Sequence, residues 1–203
     1  MPESVVLAGG RSTRFGEQDK ATADLAGTPM VRRVGDRLER VTDRLVVNCR
    51  ADQIAAIESA FDDYPNPLEI AEDPDPDEGP MAGIRTGLGA TKDEYAFVAA
   101  CDMPFIEPEL VSHLFSRAEG YDAAVPRIGD GWFQTTHAVY RTESMIVACE
   151  RALEAGERKV IVPLKYLEYV VIGEEEVCEH ASLDTFENLN TREEFERAVE
   201  RFR

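Results

Sequence analysis

Short apolar runs alternate with amphipathic stretches along most of the chain. Val5–Ala8, Leu45–Asn48, Leu68–Ala71, Tyr95–Ala100 and Tyr121–Val125 are brief, β-branched or aromatic, and bounded by polar or glycine-containing segments, which predicts strands. Between them, Met30–Leu38 carries Met30, Val34 and Leu38 at four-residue spacing with charges between, predicting a helix opened by Pro29 at its first turn. Gln53–Phe61, Pro80–Leu88 and Glu107–Arg117 read as further helices, the last with Glu107, Pro108 and Glu109 in its first turn. Strands that alternate with helices predict an α/β domain: an open, mostly parallel sheet with helices on both faces.

The rhythm changes after Val125. Trp132–Tyr140 is a longer β-rich run, Glu143–Leu153 a helix, and Lys159–Leu167 an apolar stretch that fits either state. Glu168–Ile172 reads as a strand and Glu174–Glu179 as a solvated acidic edge. Thr191–Phe202 is an amphipathic closing helix, with Thr191 and Glu194 spaced as a capping box. No repeat or low-complexity linker divides the 203 residues, so a single domain over 1–203 is expected.

Composition narrows the function classes. No apolar run approaches the roughly 20 residues that span a bilayer. Met1-Pro-Glu-Ser4 lacks the basic and apolar regions of a secretory signal. Cys49, Cys101, Cys149 and Cys178 are scattered without metal-site spacing, so they read as reduced thiols of a cytoplasmic protein. Net charge is −18, from 40 acidic and 22 basic residues, and only Lys20, Lys92, Lys159 and Lys165 are lysines. Such a surface argues against nucleic-acid and anionic-membrane partners. An acidic excess with arginine preferred to lysine resembles proteins of salt-loving organisms such as haloarchaea.

Against that background the early cations stand out. Arg11, Arg14, Lys20 and Arg32 lie in or just after the stretch Leu7-Ala-Gly-Gly-Arg-Ser-Thr-Arg-Phe-Gly-Glu-Gln-Asp-Lys20. A strand that runs into two glycines exposes backbone N–H groups to an anion. Arginine forks and a lysine charge can then hold a triphosphate. Neither Gly-x4-Gly-Lys-Ser/Thr nor Gly-x-Gly-x-x-Gly is present. Further polar residues fall at predicted strand ends: Gly9 and Gly10 after the first strand, Asn48 ending the second, Asp73 after the third and Asp102 after the fourth. Ligands of open α/β sheets sit beyond those ends. Asp102 is the candidate Mg²⁺ ligand, with a turn cap before Met103-Pro104 as the alternative.

The Leu7–Lys20 stretch resembles the signature of the small nucleotidyltransferases, and within them that of the molybdenum cofactor guanylyltransferases. The likeness continues through Leu25-Ala-Gly-Thr-Pro-Met30, Val46-Val-Asn48, Glu72-Asp73, Gly79-Pro-Met-Ala-Gly83, Cys101-Asp-Met-Pro104 and Asn188-Leu-Asn-Thr191. It implies a Rossmann-like nucleotide-diphospho-sugar transferase fold. Residues 1–105 would form the nucleotide half and 106–203 the acceptor-side half. The implied activity joins the GMP moiety of GTP to a molybdopterin-type acceptor with Mg²⁺ and releases pyrophosphate. Other cofactor-assembly proteins or apo-molybdoenzymes would be partners.

Carried over residue by residue, the resemblance puts Lys20, Arg14 and Asp102 in catalysis, with Asp102 on the metal. Leu7, Ala8, Gly9, Gly10, Lys20, Asn48, Asp73, Gly79, Pro80 and Met81 would bind nucleotide. Asp73 would read the N1–H and N2–H₂ edge of guanine, although Asp75, Asp77 and Glu78 make it one acid among several. Gly83, Gln134, His137, Asn188 and Asn190 would face the acceptor. For Asn190 the competing role is a helix cap, for His137 a structural place in a strand, and for Trp132 a core or rim position rather than a pterin stack. Ala21–Ala23 departs from the larger apolar residues of many relatives, which leaves the acceptor open. An enzyme acting on adenosylcobinamide phosphate, a cytidylyltransferase and a non-catalytic GTP-binding module are the alternatives. The presence of both Lys20 and Asp102 argues against the last.

Overall fold

The computed structural model describes residues 2–10, 19–74, 78–129 and 131–202. In chain order the elements are β1 (Glu3–Leu7), β2 (Asp24–Leu25), β3 (Thr28–Pro29), α1 (Met30–Leu38), β4 (Arg44–Cys49), α2 (Ile54–Ala60), β5 (Leu68–Glu72) and α3 (Pro80–Gly89). They continue with β6 (Tyr95–Ala100), α4 (Pro108–Ala118), β7 (Ala123–Ile128), β8 (Trp132–Phe133), β9 (His137–Arg141) and α5 (Thr142–Glu154). The last are β10 (Tyr169–Gly173), α6 (Glu174–Cys178) and α7 (Arg192–Arg201).

One sheet runs β10-β7-β9-β6-β1-β4-β5, with β8 paired to β7; β2 and β3 form a separate small ribbon. The pairs β1–β4, β1–β6, β4–β5 and β7–β10 are parallel. β9 lies antiparallel between β6 and β7. It comes from the long β-rich run in which the strand–helix alternation breaks down. That run is interrupted at 134–136, so it supplies two short strands rather than one.

Strand side chains alternate between two cores. Val6, Leu45, Val47, Phe97 and Ala99 face the layer of α1, α2, α4 and α6. Val5, Val46, Ala96 and Val98 face α3 and α5. Both faces are buried, which is why these strands read as continuous apolar runs. The acidic stretch expected to be a solvated edge is instead α6: Val177 is fully buried, and Glu176 pairs with His113 and Arg117. The ambiguous stretch before β10 is a 3₁₀ helix over Val162–Tyr166. α7 lies outside both layers, with Ala198 packed on Leu25, Met30 and Phe105. The parallel register brings the carboxyl ends of β1, β4, β5 and β6 to one edge of the sheet.

Candidate functional site

At that edge the chain leaves β1 through Ala8, whose N–H donates to Asn48 O at 2.8 Å, and reaches Gly9 and Gly10. Asn48, at the end of β4, is 1% exposed, and its Nδ2 donates to Ala71 O at 3.1 Å and to Asp73 Oδ1 at 2.7 Å. Two glycines make room for this pair. A Cβ on Gly9 would lie 2.6 Å from Asp73 Oδ2, and one on Gly83 of α3 would lie 2.5 Å from Asn48 Oδ1. Removal from water raises the Asp73 carboxyl above its usual range, while the hydrogen bond from Asn48 pulls the other way.

The catalytic candidates meet one strand further along. Lys20 Nζ donates to Asp102 Oδ2 at 2.6 Å and to Asn190 Oδ1 at 3.0 Å. Both partners of the ion pair are largely shielded, with side chains 12% and 18% exposed. Asp102 follows β6 and also accepts the N–H of Leu189 on its backbone oxygen at 3.0 Å. Its Oδ1 is buried and has no hydrogen-bond partner among the described residues. A buried acceptor left bare costs about 1–3 kcal/mol, so it marks a place where a cation or donor is wanted. The cap question is settled for Asn190. Thr191 is the N-cap of α7, its side chain accepting from the Glu194 N–H, while Glu194 Oε2 takes the N–H groups of Asn190 and Thr191. The Asn190 side chain is thereby left for Lys20.

Other expected site residues divide. Leu7, Ala8, Gly9, Gly10, Gly79 and Pro80 border the same edge, Gly79 capping α3 and Pro80 opening it. Met81, in the same first turn of α3, is 0% exposed, its side chain in the core between α3 and the sheet. Gly83, expected near the acceptor, is buried behind Asn48 and Leu7. His137, also expected near the acceptor, is 0% exposed, and neither ring nitrogen has a hydrogen-bond partner among the described residues. It is wedged edge-on between Phe97 and Phe186, and burial pushes its pKa down to about 3. Gln134 is half-buried, its N–H donating to Pro126 O at 2.9 Å, and Asn188 donates to Phe186 O at 3.1 Å. Trp132 is not in the core; it is 76% exposed on β8. Arg11 and Arg14 lie outside the described residues.

Sequence reasoning passed over Asp19, Arg50 and Gln53. Arg50 Nη1 donates to Gly9 O at 2.8 Å and Gly10 O at 3.1 Å, and Nη2 to Asp19 Oδ2 at 3.1 Å. Gln53 Nε2 donates to Ala8 O at 2.9 Å and Asp19 Oδ2 at 2.6 Å. The signal was available: Arg50 follows β4 at the same strand end that identifies Asn48, and a buried arginine must be paired.

Comparisons with known proteins agree with this geometry. Residues 4–168 match the family described as the MobA-like NTP transferase domain. A protein of Natronomonas pharaonis named probable molybdenum cofactor guanylyltransferase is 50% identical over 197 residues, covering 97% of this chain and 96% of its own length. One of the same name from Haloferax mediterranei is 39% identical, covering 92% and 88%. The solved structure of molybdopterin-guanine dinucleotide biosynthesis protein A from Archaeoglobus fulgidus superposes with a TM-score of 0.80 at 30% identity, covering 100% and 98% of the two chains. The chain belongs to the MobA-like NTP transferase family and, within it, to the molybdenum cofactor guanylyltransferases.

Proposed function

We propose that the chain transfers GMP from GTP to the phosphate of a molybdopterin-type acceptor. The observation that carries the reading is the Lys20–Asp102–Asn190 junction, with one Asp102 oxygen held by the ammonium and the other buried and bare. An acceptor phosphate oxygen bonds to the α-phosphorus of GTP, the bond to the bridging oxygen of the departing group breaks, and pyrophosphate leaves with the electron pair. Mutual repulsion of the anions is the main barrier, so positioning and charge neutralisation do the catalysis. Lys20 sets a positive charge beside the α-phosphate. The Gly9–Gly10 backbone lets the triphosphate come close, and Asp73, oriented by Asn48, takes the guanine edge.

Asp102 Oδ1 fits Mg²⁺, a hard cation held by one or two carboxylates together with substrate phosphates. No group of three His, Cys, Asp or Glu residues suited to a metal occurs among the described residues. When bound, Mg²⁺ would supply charge neutralisation to the phosphates. No described helix is long and apolar enough to cross a membrane. The cytoplasmic location we propose rests on the four free, scattered cysteines.

Asp102→Asn tests the reading. It keeps size and the turn but removes the charge, so kcat for pyrophosphate release should fall about 10²-fold or more, roughly 2.7 kcal/mol. Near-normal turnover in a folded variant would overturn the assignment. A turnover screen of GTP and CTP against molybdopterin and cobinamide phosphate tests the substrates. Preferred use of CTP or cobinamide phosphate would reject the pairing.

A further inference from the structure

Among the described residues at the site edge Arg50 is the most heavily engaged side chain, and its bonds go to carboxylates and to the carbonyls of the glycine turn. Its Nε donates to Asp52 Oδ1 at 3.0 Å, Nη1 to the carbonyls of Gly9 and Gly10, and Nη2 to Asp19 Oδ2 and to Asp52 Oδ2 at 3.2 Å. A guanidinium has five N–H donors, and these bonds use them all. At 9% exposure it has no donor left for a phosphate. Burial works against its charge, but the hydrogen bonds it donates to Asp52 and Asp19, with the attraction of those carboxylates, more than offset this and raise its pKa.

What Arg50 joins is informative. Gly9 and Gly10 lie before residues 11–18, and Asp19 lies after them. Gln53 repeats the link from Ala8 O to Asp19 Oδ2, and its Oε1 accepts the Arg50 N–H at 3.0 Å. Asp19 Oδ1 takes the Ala21 N–H at 2.9 Å, and Ala21 O accepts the N–H of Val31 in α1 at 2.8 Å. Lys20 sits between two residues pinned in this way. Carbonyl oxygens directed at a triphosphate would repel it, and Arg50 binds both.

We propose that Arg50 is a positioning residue: a clamp that ties Gly9–Gly10 to Asp19, draws two carbonyls away from the triphosphate, and so sets Lys20 against Asp102. The clamp rests on the nucleotidyl-transfer reading above. It acts by keeping the binding-competent arrangement populated, and apparent affinity falls in proportion to that population. Bound triphosphate restores the arrangement, so a broken clamp raises KM more than it lowers kcat. Lysine cannot replace the fork, because an ammonium is a point charge with three donors.

Inorganic tripolyphosphate and GTP, each with Mg²⁺, are titrated calorimetrically into wild type, Arg50→Lys, Asp19→Asn and the double variant. Melting temperature and steady-state kinetics are measured on the same preparations. Each single variant should bind tripolyphosphate at least about tenfold more weakly and raise KM for GTP similarly, with kcat at saturation changed far less. The double variant should be little worse than Arg50→Lys, since the two residues share one link. Asp19→Asn, which leaves the guanidinium in place, keeps the test available if Arg50→Lys folds poorly. Wild-type affinity in both single variants, or fully additive losses, would overturn the clamp and leave the functional reading intact. Absence of tripolyphosphate and GTP binding to wild type would overturn both.

Discussion

His137→Leu separates a core histidine from a substrate-facing one. The ring is buried between Phe97 and Phe186, both nitrogens unpaired among the described residues, and its pKa falls from the ordinary 6.5 to about 3 through burial alone. The folded state therefore holds His137 neutral where the unfolded chain takes a proton. Stability is complete above pH 6.5 and is lost as pH falls toward 3, at about 1.4 kcal/mol per pH unit. At pH 5 the loss is about 2 kcal/mol, which for a domain of this size is about 4–8 °C in melting temperature. Leucine fills a similar volume and takes up no proton. It also removes two unpaired polar atoms, worth about 1–3 kcal/mol against some lost edge-on ring contact. Melting curves of both proteins from pH 7.5 to pH 4.5 should diverge, the variant gaining those extra degrees at pH 5, with KM for the acceptor unchanged. A constant difference across the range would refute the proton-uptake argument. A large rise in acceptor KM would return His137 to the substrate.

Asp73→Asn should reduce the preference for GTP over ATP by about 10–10²-fold, the worth of a charge-assisted hydrogen bond, in titrations with Mg²⁺; an unchanged preference would place base recognition elsewhere. Melting temperature should rise markedly from 0.1 M to ~2 M KCl, because screening shortens the repulsion of a chain carrying −18, and a flat response would count against a saline adaptation. A thiol reagent should label Cys178 rapidly and the other three cysteines only on unfolding: Cys49, Cys101 and Cys149 are buried, and burial pushes the Cys49 and Cys149 thiols up to about 12. A second fast thiol in the native protein would contradict that burial.

Local pattern alone determined much of this protein. Strands buried on both faces appear as uninterrupted apolar runs, so β1, β4 and β6 were legible to within about two residues, as was the half-buried edge strand β5. Helix α1 was legible from Met30, Val34 and Leu38, and the cap of α7 from Thr191 and Glu194. Because ligands collect at the carboxyl ends of such strands, Gly9, Asn48, Asp73 and Asp102 could be singled out one strand at a time. Periodicity states which face a residue takes and is silent on what it meets there. Only the tertiary structure brought Asn190 to Lys20 across 170 positions, placed β9 antiparallel beside β6, and sealed His137 between two rings. It likewise set Met81 in the core and Gly83 behind Asn48, since a motif names neighbours in sequence but not the side of the helix that faces the sheet. Arg50 is the clearest case: its charge was visible in the chain, but its three bonds to Gly9, Gly10 and Asp19 exist only once β1, β4 and the segment after residue 18 converge.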